Sequence, residues 1–349
     1  MIRSISSGRN RLDSVKLAFP AELLTLKRKN TFGVLQRYSP EGEALSETLT
    51  LDAGGSLSDE LIGLKSVKLI GGRGEIEFSA KVLRERYPEL IGIDNIEEVI
   101  SRMNGIGIFT LDANRFLDQA EVCRFDCTTD LHVTGEVGDY LQSLKVYGAL
   151  LWNWEATPYK RTGFVFRKKV SSYHERVLFY DKLAEVMKDK HRSVFNPDRF
   201  ADVIRVETKH TDLKHIRKRF NLNSGEVRLM EVLMSKEKVN LKLFTSIVDS
   251  PDIPGARERY NSLRSEGEKL SSIEKRKGME GIIRDCNCDM ALVRMFLRET
   301  VKGTISHYYK RYQECLANMI ANGEGNEQTQ AGSFDMSHID EMRELLKVA

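Results

Sequence analysis

The chain has 349 residues, 41% hydrophobic and 30% charged, with seven prolines. It has no apolar run near the eighteen or more residues that a membrane helix needs, which excludes a spanning protein, a disordered chain and a disulfide scaffold. The formal net charge of +3 hides an uneven distribution: residues 1–50, 51–150, 151–250 and 251–349 carry +3, −7, +8 and −1.

In chain order, Val15, Leu17 and Phe19 alternate with Lys16 and Ala18 as in a half-buried strand, and Leu49 and Leu51 end a Thr-rich run. Residues 67–78 read as two strands joined at Gly71-Gly72. Helical patterns follow at 80–86 and 96–103. Strand character returns at 122–133, 163–170, 176–182 and 203–209, with an amphipathic helix at 183–190 between the last two. Beyond Leu222 the pattern becomes helical, at 226–234, 256–276, 290–300 and 304–320. A polar run at 322–332 and a short helix near 339–348 close the chain.

The opening nine residues lack the apolar core of a secretion signal. The five cysteines, Cys123, Cys127, Cys286, Cys288 and Cys315, show no two-pair zinc spacing and read as free thiols of a reducing cytoplasm. Gly71-Gly-Arg-Gly74 lacks the Lys-Ser/Thr of a phosphate loop, and Gly105-Ile-Gly107 lacks the third glycine of a dinucleotide fingerprint.

Carboxylates embedded in strands are the recurrent feature. Glu75 and Glu77 share one face of their strand, Asp126 sits in Arg124-Phe-Asp126, and Glu207 in Ile204-Arg-Val-Glu207. Acids are depleted from strands, so three strands carrying them suggest converging oxygen ligands for a hard cation such as Mg²⁺ or Mn²⁺. The competing reading is that Arg124, Arg205 and Lys209 neutralise them as cross-strand pairs. Tyr180 and Lys182 share a strand face, and a neighbouring ammonium or metal would favour the phenolate. A packed strand tyrosine is the plainer reading.

These positions in this order resemble the replication initiation endonucleases of filamentous phages, which are related to rolling-circle plasmid initiators of the Rep_trans type. The resemblance runs from Asp13-Ser-Val-Lys-Leu17 through residues 75–83, Arg124-Phe-Asp126, Phe179-Tyr-Asp-Lys182 and Ile204-Arg-Val-Glu207 to the basic stretch at 213–222. It implies an α+β fold: an antiparallel-sheet nicking domain with flanking helices at 1–222, then a mostly α-helical region at 223–321, and a polar linker with a short C-terminal helix at 322–349. Carried over by position, Tyr180 looks like the nicking tyrosine, Lys182 its neighbouring lysine, and Glu75, Asp126 and Glu207 the metal-site acids. Glu77 would stand behind them. No histidine-hydrophobe-histidine pair is present, so carboxylates would hold most of the metal.

The implied chemistry is transesterification at a replication origin, leaving a 5′-phosphotyrosine and a free 3′-OH that primes host polymerase. Later rejoining would need no ATP. Single- and double-stranded DNA, with host helicase and polymerase, are the implied partners, in the cytoplasm of a bacterial host. Lys160, Arg161, Arg167, Lys168, Lys169, Arg217, Lys218 and Arg219 are the candidate phosphate contacts, with Trp152 and Trp154 as stacking platforms or core.

Residues 290–300, a glycine-containing turn and residues 304–316 read as a candidate helix-turn-helix, or as a plain pair sealed by Ile305, Tyr309, Tyr312 and Leu316. Tyr308 and Tyr312, one turn apart, also resemble the paired tyrosines of other nickases, and rank below Tyr180. The alternative function is a non-catalytic origin-binding or regulatory protein. The catalytic reading requires Glu75, Asp126 and Glu207 to converge within about 5 Å of a common point, with Tyr180 facing it.

Overall fold

A computed structural model describes residues 10–38, 44–52, 59–150, 154–160, 162–168, 175–223, 225–248, 269–286, 290–321 and 337–349. Its strands are β1 (Arg11–Pro20), β2 (Leu24–Leu26), β3 (Gly33–Tyr38), β4 (Ala44–Asp52), β5 (Leu64–Ile70), β6 (Arg73–Ser79), β7 (Phe109–Leu111), β8 (Glu121–His132), β9 (Trp154–Tyr159), β10 (Gly163–Lys168), β11 (Arg176–Asp181) and β12 (Val203–His210). Ten of them form one antiparallel sheet in the order β3-β4-β5-β6-β1-β8-β12-β11-β10-β9, while β2 and β7 pair separately. The fold is α+β.

Side-chain alternation explains the sheet. Val15, Leu17 and Phe19 are buried on one face of β1 while Lys16 stays half-exposed on the other. Gly71 and Gly72 both take positive φ, +50° and +81°, at the β5–β6 turn, the conformation that a two-residue hairpin requires and glycine tolerates. Helices cover the Val15 face. They are α1 (Ile96–Gly105), α2 (Ala113–Gln119), α3 (Val137–Leu150), then, after α4 (Lys182–Val186), α5 (Leu213–Phe220), α6 (Leu229–Met234) and α7 (Val239–Val248). Asn240 of α7 donates to the backbone of Cys127 and Val206 and accepts from Thr208, anchoring that helix to β8 and β12. The opposite face is capped at one end only, by a 3-10 segment at Ala80–Glu89, by α4, and by short turns at Arg192–Phe195 and Pro197–Phe200.

The expected strands at 122–133, 163–170, 176–182 and 203–209 form within a residue or two, residues 169 and 170 lying outside the described residues. The helix expected at 183–190 is shorter, and the one at 80–86 is a 3-10 segment broken at Arg84, where φ is +55°. α8 (Leu270–Asp285), α9 (Met290–Thr300) and α10 (Ser306–Ala321) enclose a second core of Ile273, Ile282, Phe296, Leu297 and Tyr312.

The expected boundary at residue 222 moves. Leu229, Val232, Leu243, Phe244 and Ile247 belong to the main core, so α6 and α7 are part of the sheet domain. So is α11 (Ser337–Val348), whose Ile339, Met342 and Leu346 are buried there. No helix of the described residues is long and apolar enough to cross a membrane.

Candidate active site

Sheet register gathers the site where the capping segments meet the uncovered face. On β12, Arg205, Glu207 and Lys209 alternate on that face, opposite Asp130, Thr128 and Asp126 of β8. On the other side Arg205 faces Tyr180 of β11. An irregularity in the β1–β8 pairing lies between Leu12 and Ser14, at Asp13.

The Tyr180 hydroxyl donates to Glu207 Oε1 at 2.6 Å. Tyr180 is buried, leaving only 4% of its surface exposed, and Glu207 is half-buried. Burial, then the charge of Asp13, pushes the Glu207 carboxyl up to about 7. Burial and the neighbouring Glu207 push the Tyr180 phenol well above its ordinary value. The pair therefore holds its proton on the phenol, with an acceptor of near-neutral pKa already in contact.

Behind the pair lies a buried polar cluster. Arg205, fully buried, donates through Nε and Nη2 to the two Asp130 oxygens at 2.6 and 2.7 Å. Its Nη1 donates to Asp13 at 2.9 Å and to the Tyr87 hydroxyl at 3.0 Å. Tyr87 hydrogen-bonds Asp13 in turn. Burial would raise the Asp13 carboxyl, but Arg205, Lys182 and Lys81 outweigh it and hold it below the usual value.

Lys182 is buried too. Its ammonium donates to Tyr87 Oη and to Glu185, each at 2.7 Å, and sits 5.5 Å from the Tyr180 ring centroid. Burial, then repulsion from Arg205, lowers its pKa. The expected direct activation of the tyrosine by Lys182 is thus not the arrangement present. Tyr180 is paired with a carboxylate, and Lys182 acts on Glu207 through space by lowering its pKa.

The three acids expected to converge do not. Glu75 lies opposite Ala18 on β1, whereas Asp126 lies opposite Ser14, which in turn faces Ser79. Four residues of β6 separate those levels, about 13 Å at ~3.4 Å per residue. Glu75 is instead bonded to Lys16 at 2.7 Å, a contact that lowers its pKa. Glu77 pairs with Arg124, and with Lys65 at 3.5 Å. For these two residues the cross-strand pairing reading holds.

Asp126 lies directly opposite Lys209 and feels its charge, as the pairing reading expects. Glu207 feels the charges of Arg205 and Lys182, but both acids also feel the negative charge of Asp13. Burial, then Asp13, raises the Asp126 carboxyl. Among the described residues no three His, Cys, Asp or Glu side chains stand together as a ready-made metal cage. The set Asp13, Asp126 and Glu207 offers oxygen donors of the kind a hard cation takes, but the three do not form such a group, and Asp13 is already bonded to Arg205 and Tyr87. Glu75 does not belong to that set.

The basic residues divide between two layers. Lys160, exposed at a turn with φ +45°, places its ammonium 5.1 Å from the Tyr159 ring centroid, and that ring lies 5.9 Å from Tyr180. Arg167 is exposed on β10, and Lys168 covers the buried Trp154 ring at 5.8 Å. Trp154 is core. Arg161, Lys169 and Trp152 lie outside the described residues. Arg217, Lys218 and Arg219 are on α5, which packs through Ile216 and Phe220 on the helix-covered face, so they do not join Lys160 beside the tyrosine. Arg219 also pairs with Glu175. Tyr312 is buried in the second core and donates to Glu274 at 3.1 Å, which removes it from any nucleophilic pair with Tyr308. Cys123, Cys127, Cys286 and Cys315 form no disulfide among the described residues; Cys288 lies outside them.

Sequence reasoning missed Asp13, Tyr87, Asp130 and Glu185 as members of the site. Asp13 and Asp130 carried the same signal as Asp126, an acid within a strand. Tyr87 carried none, since it arrives from an irregular segment.

No family model matches the chain, and no curated protein sequence matches it. Among solved structures, the rolling circle replication initiator protein from Geobacillus stearothermophilus is similar over 59% of this chain and 76% of that one, at 13% identity and a TM-score of 0.29. A likeness of that size carries no argument about the reaction, which rests on the side chains.

Proposed function

We propose that the chain is a rolling-circle replication initiator that nicks and rejoins one DNA strand through Tyr180. The observation that carries this reading is the 2.6 Å hydrogen bond from the Tyr180 hydroxyl to a carboxylate with a pKa of about 7. In the forward step the Tyr180 oxygen bonds to the scissile phosphorus as its proton passes to Glu207. The bond from phosphorus to the 3′ oxygen breaks, that oxygen takes up a proton, and the 5′ end stays on the tyrosine. Reversal reseals the strand with no external energy source.

Arg205 and Lys182 supply fixed positive charge beneath the pair. Lys160 would hold a phosphate beside it, and Arg167, four residues of β10 from the level of Tyr180, one further along the strand. Mg²⁺ or Mn²⁺, drawn to Asp126 beside the pair, would offset the negative charge that builds on the phosphate, leaving Glu207 to take the proton. Host helicase and polymerase would follow as partners of the opened strand.

Nicking of a supercoiled plasmid carrying the cognate origin tests this. Wild type is expected to convert it to open circles with protein attached to the 5′ end, and Tyr180→Phe to do neither. Nicking that survives the substitution refutes the assignment. The second reading, a non-catalytic origin-binding protein, draws support from the burial of Tyr180 and from the pairing of Glu75 with Lys16. It expects origin binding without nicking in wild type.

A further inference from the structure

Tyr87 reaches the buried polar cluster along a strained backbone path. Its segment, Ala80–Glu89, contains Pro88, and Tyr87 stands between two non-glycine residues of positive φ, Arg84 (φ +55°, ψ −118°) and Leu90 (φ +56°, ψ +175°). Residues with side chains rarely adopt either conformation, and both cost free energy that the surroundings must offset. Leu83, Tyr87 and Leu90 are all buried, and the Leu90 N–H donates to the Tyr87 carbonyl at 3.0 Å. Ile91 then exchanges two backbone hydrogen bonds, both 2.9 Å, with Leu12, the residue before Asp13. The strained path thus delivers Tyr87 against the start of β1.

Packing does not account for the hydroxyl. The Tyr87 ring centroid lies 5.2 Å from that of Phe195 and 5.8 Å from that of Phe200, and a phenylalanine would fill the same place. A phenol oxygen offers one donor and two acceptor sites, and here all three are used. It accepts from Lys182 Nζ at 2.7 Å and from Arg205 Nη1 at 3.0 Å, and it donates to Asp13. The same two cations lie 4.8 and 5.2 Å from the ring centroid. Lys182 and Arg205 repel each other, and the oxygen that both address is what lets two buried positive charges stand side by side. The other charges facing it are Asp13 of β1, Glu207 of β12 and Glu185 of α4. Lys81 stands next to Asp13, Asp130 of β8 lies behind Arg205, and Tyr180 of β11 feels Tyr87 directly.

We propose that Tyr87 is a positioning residue whose hydroxyl holds the Lys182 ammonium and the Arg205 guanidinium as a fixed pair of positive charges beneath Tyr180 and Glu207. This rests on the reading of Tyr180 and Glu207 as the reacting pair, and Tyr87 acts through the two cations rather than on the substrate. The consequence is a pH effect of definite sign. The hydrogen bond that Tyr87 accepts favours the charged form of Lys182; without it, burial and Arg205 lower the ammonium pKa further. Glu207 then loses part of the positive charge that opposes its protonation, so its pKa rises above about 7. The proton acceptor is idle over a wider range of pH.

The test compares the full chain with Tyr87→Phe, first without DNA. With glutamate isotopically labelled at the side-chain carboxyl, the Glu207 resonance is the one lost in Glu207→Gln. Wild type should titrate at about 7, and Tyr87→Phe higher by about half a pH unit or more. In nicking of a single-stranded oligonucleotide at about pH 6, the variant should show kcat lower by about threefold, the factor that half a unit carries, with KM within about twofold. A ring-fluorinated tyrosine at position 87 keeps the size and the hydroxyl but accepts more weakly. It should move the titration in the same direction by less, and it decides the matter if Tyr87→Phe does not fold. A titration that stays in place or moves down in the folded variants overturns the proposal, even where their unfolding midpoints fall, since a merely structural hydroxyl would do only the latter. The expected titration shift in a chain whose wild type never nicks would sink Tyr180 as nucleophile and leave the role of Tyr87 standing.

Discussion

The Tyr180 hydroxyl and Glu207 Oε1, 2.6 Å apart, are brought together by the pairing of β11 with β12. Glu207 sits two residues further along β12 than Arg205, the direct neighbour of Tyr180. The proposed nucleophile, its proposed proton acceptor and a compensating cation therefore come from neighbouring positions of two strands.

Glu207→Gln separates catalysis from stability. The amide keeps a hydrogen-bond acceptor but cannot take the proton, so the nicking rate should fall by about 10² to 10⁴. The wild-type rate should rise with pH to a plateau above about 7, and the variant should lose that break. For stability the sign is opposite. The folded-state pKa is raised, so the folded chain binds the extra proton below about 7, and that contribution is lost as pH rises through 7. Urea unfolding at pH 5.5 and 8.5 should cost wild type roughly 2 kcal/mol relative to the variant on going to the higher pH, at ~1.4 kcal/mol per pH unit over the interval from 5.5 to about 7.

Arg205→Met removes the cation shared by Asp13 and Asp130. Breaking a fully buried ion pair from one side leaves uncompensated charge and should destabilise the fold by about 3 to 5 kcal/mol. Adding Asp130→Asn should cost less than the sum of the two single changes, because one loss is then relieved. Denaturation midpoints of the four proteins in this cycle check both statements.

The separation of Glu75 from Asp126 is expected to appear in activity. Glu75→Gln breaks a half-exposed pair with Lys16 and should change the nicking rate by no more than about threefold, the scale of such pairs. Asp126→Asn should lower it by about tenfold or more, with a weakened response to added Mg²⁺ or Mn²⁺. Equal losses in the two variants would restore the three-acid site.

His210 gives an acid-side signal. It is fully buried between Phe125 and Phe220, and burial, then Arg219, pushes its pKa down to about 3. The unfolded chain therefore takes up the proton first, so stability should fall as pH drops below about 6.5. His210→Phe should flatten the loss of stability between pH 6.5 and 4, measured by thermal unfolding.

Much of the sheet was legible because alternation states which face a residue occupies. That sufficed for β1, β8, β11 and β12 and for the Gly71-Gly72 turn, whereas Tyr180 and Glu207 were expected at one site only from the resemblance. Alternation is silent on level along the strand, which is why Glu75 shared a face with Asp126 yet stood about 13 Å away along β6, at ~3.4 Å per residue. The polar cluster was less legible. Arg205 meets Tyr87 and Asp13 across 118 and 192 residues of chain, and Tyr87 comes from a segment broken at Arg84. β9 escaped notice because Pro158 argues against a strand, and a sheet edge tolerates it. The helices after residue 222 were visible as helices. Which core each one enters depends on partners far away in sequence, and α6, α7 and α11 proved to belong to the sheet.

The most direct measurement is the site of covalent attachment. After incubation with a single-stranded oligonucleotide containing the cleavage sequence and Mg²⁺, nuclease trimming and peptide mass mapping should find the residual nucleotide on the peptide containing Tyr180. Attachment at Tyr159, Tyr308 or Tyr312, or no adduct from a protein that binds the same oligonucleotide, would contradict the assignment of Tyr180 as nucleophile.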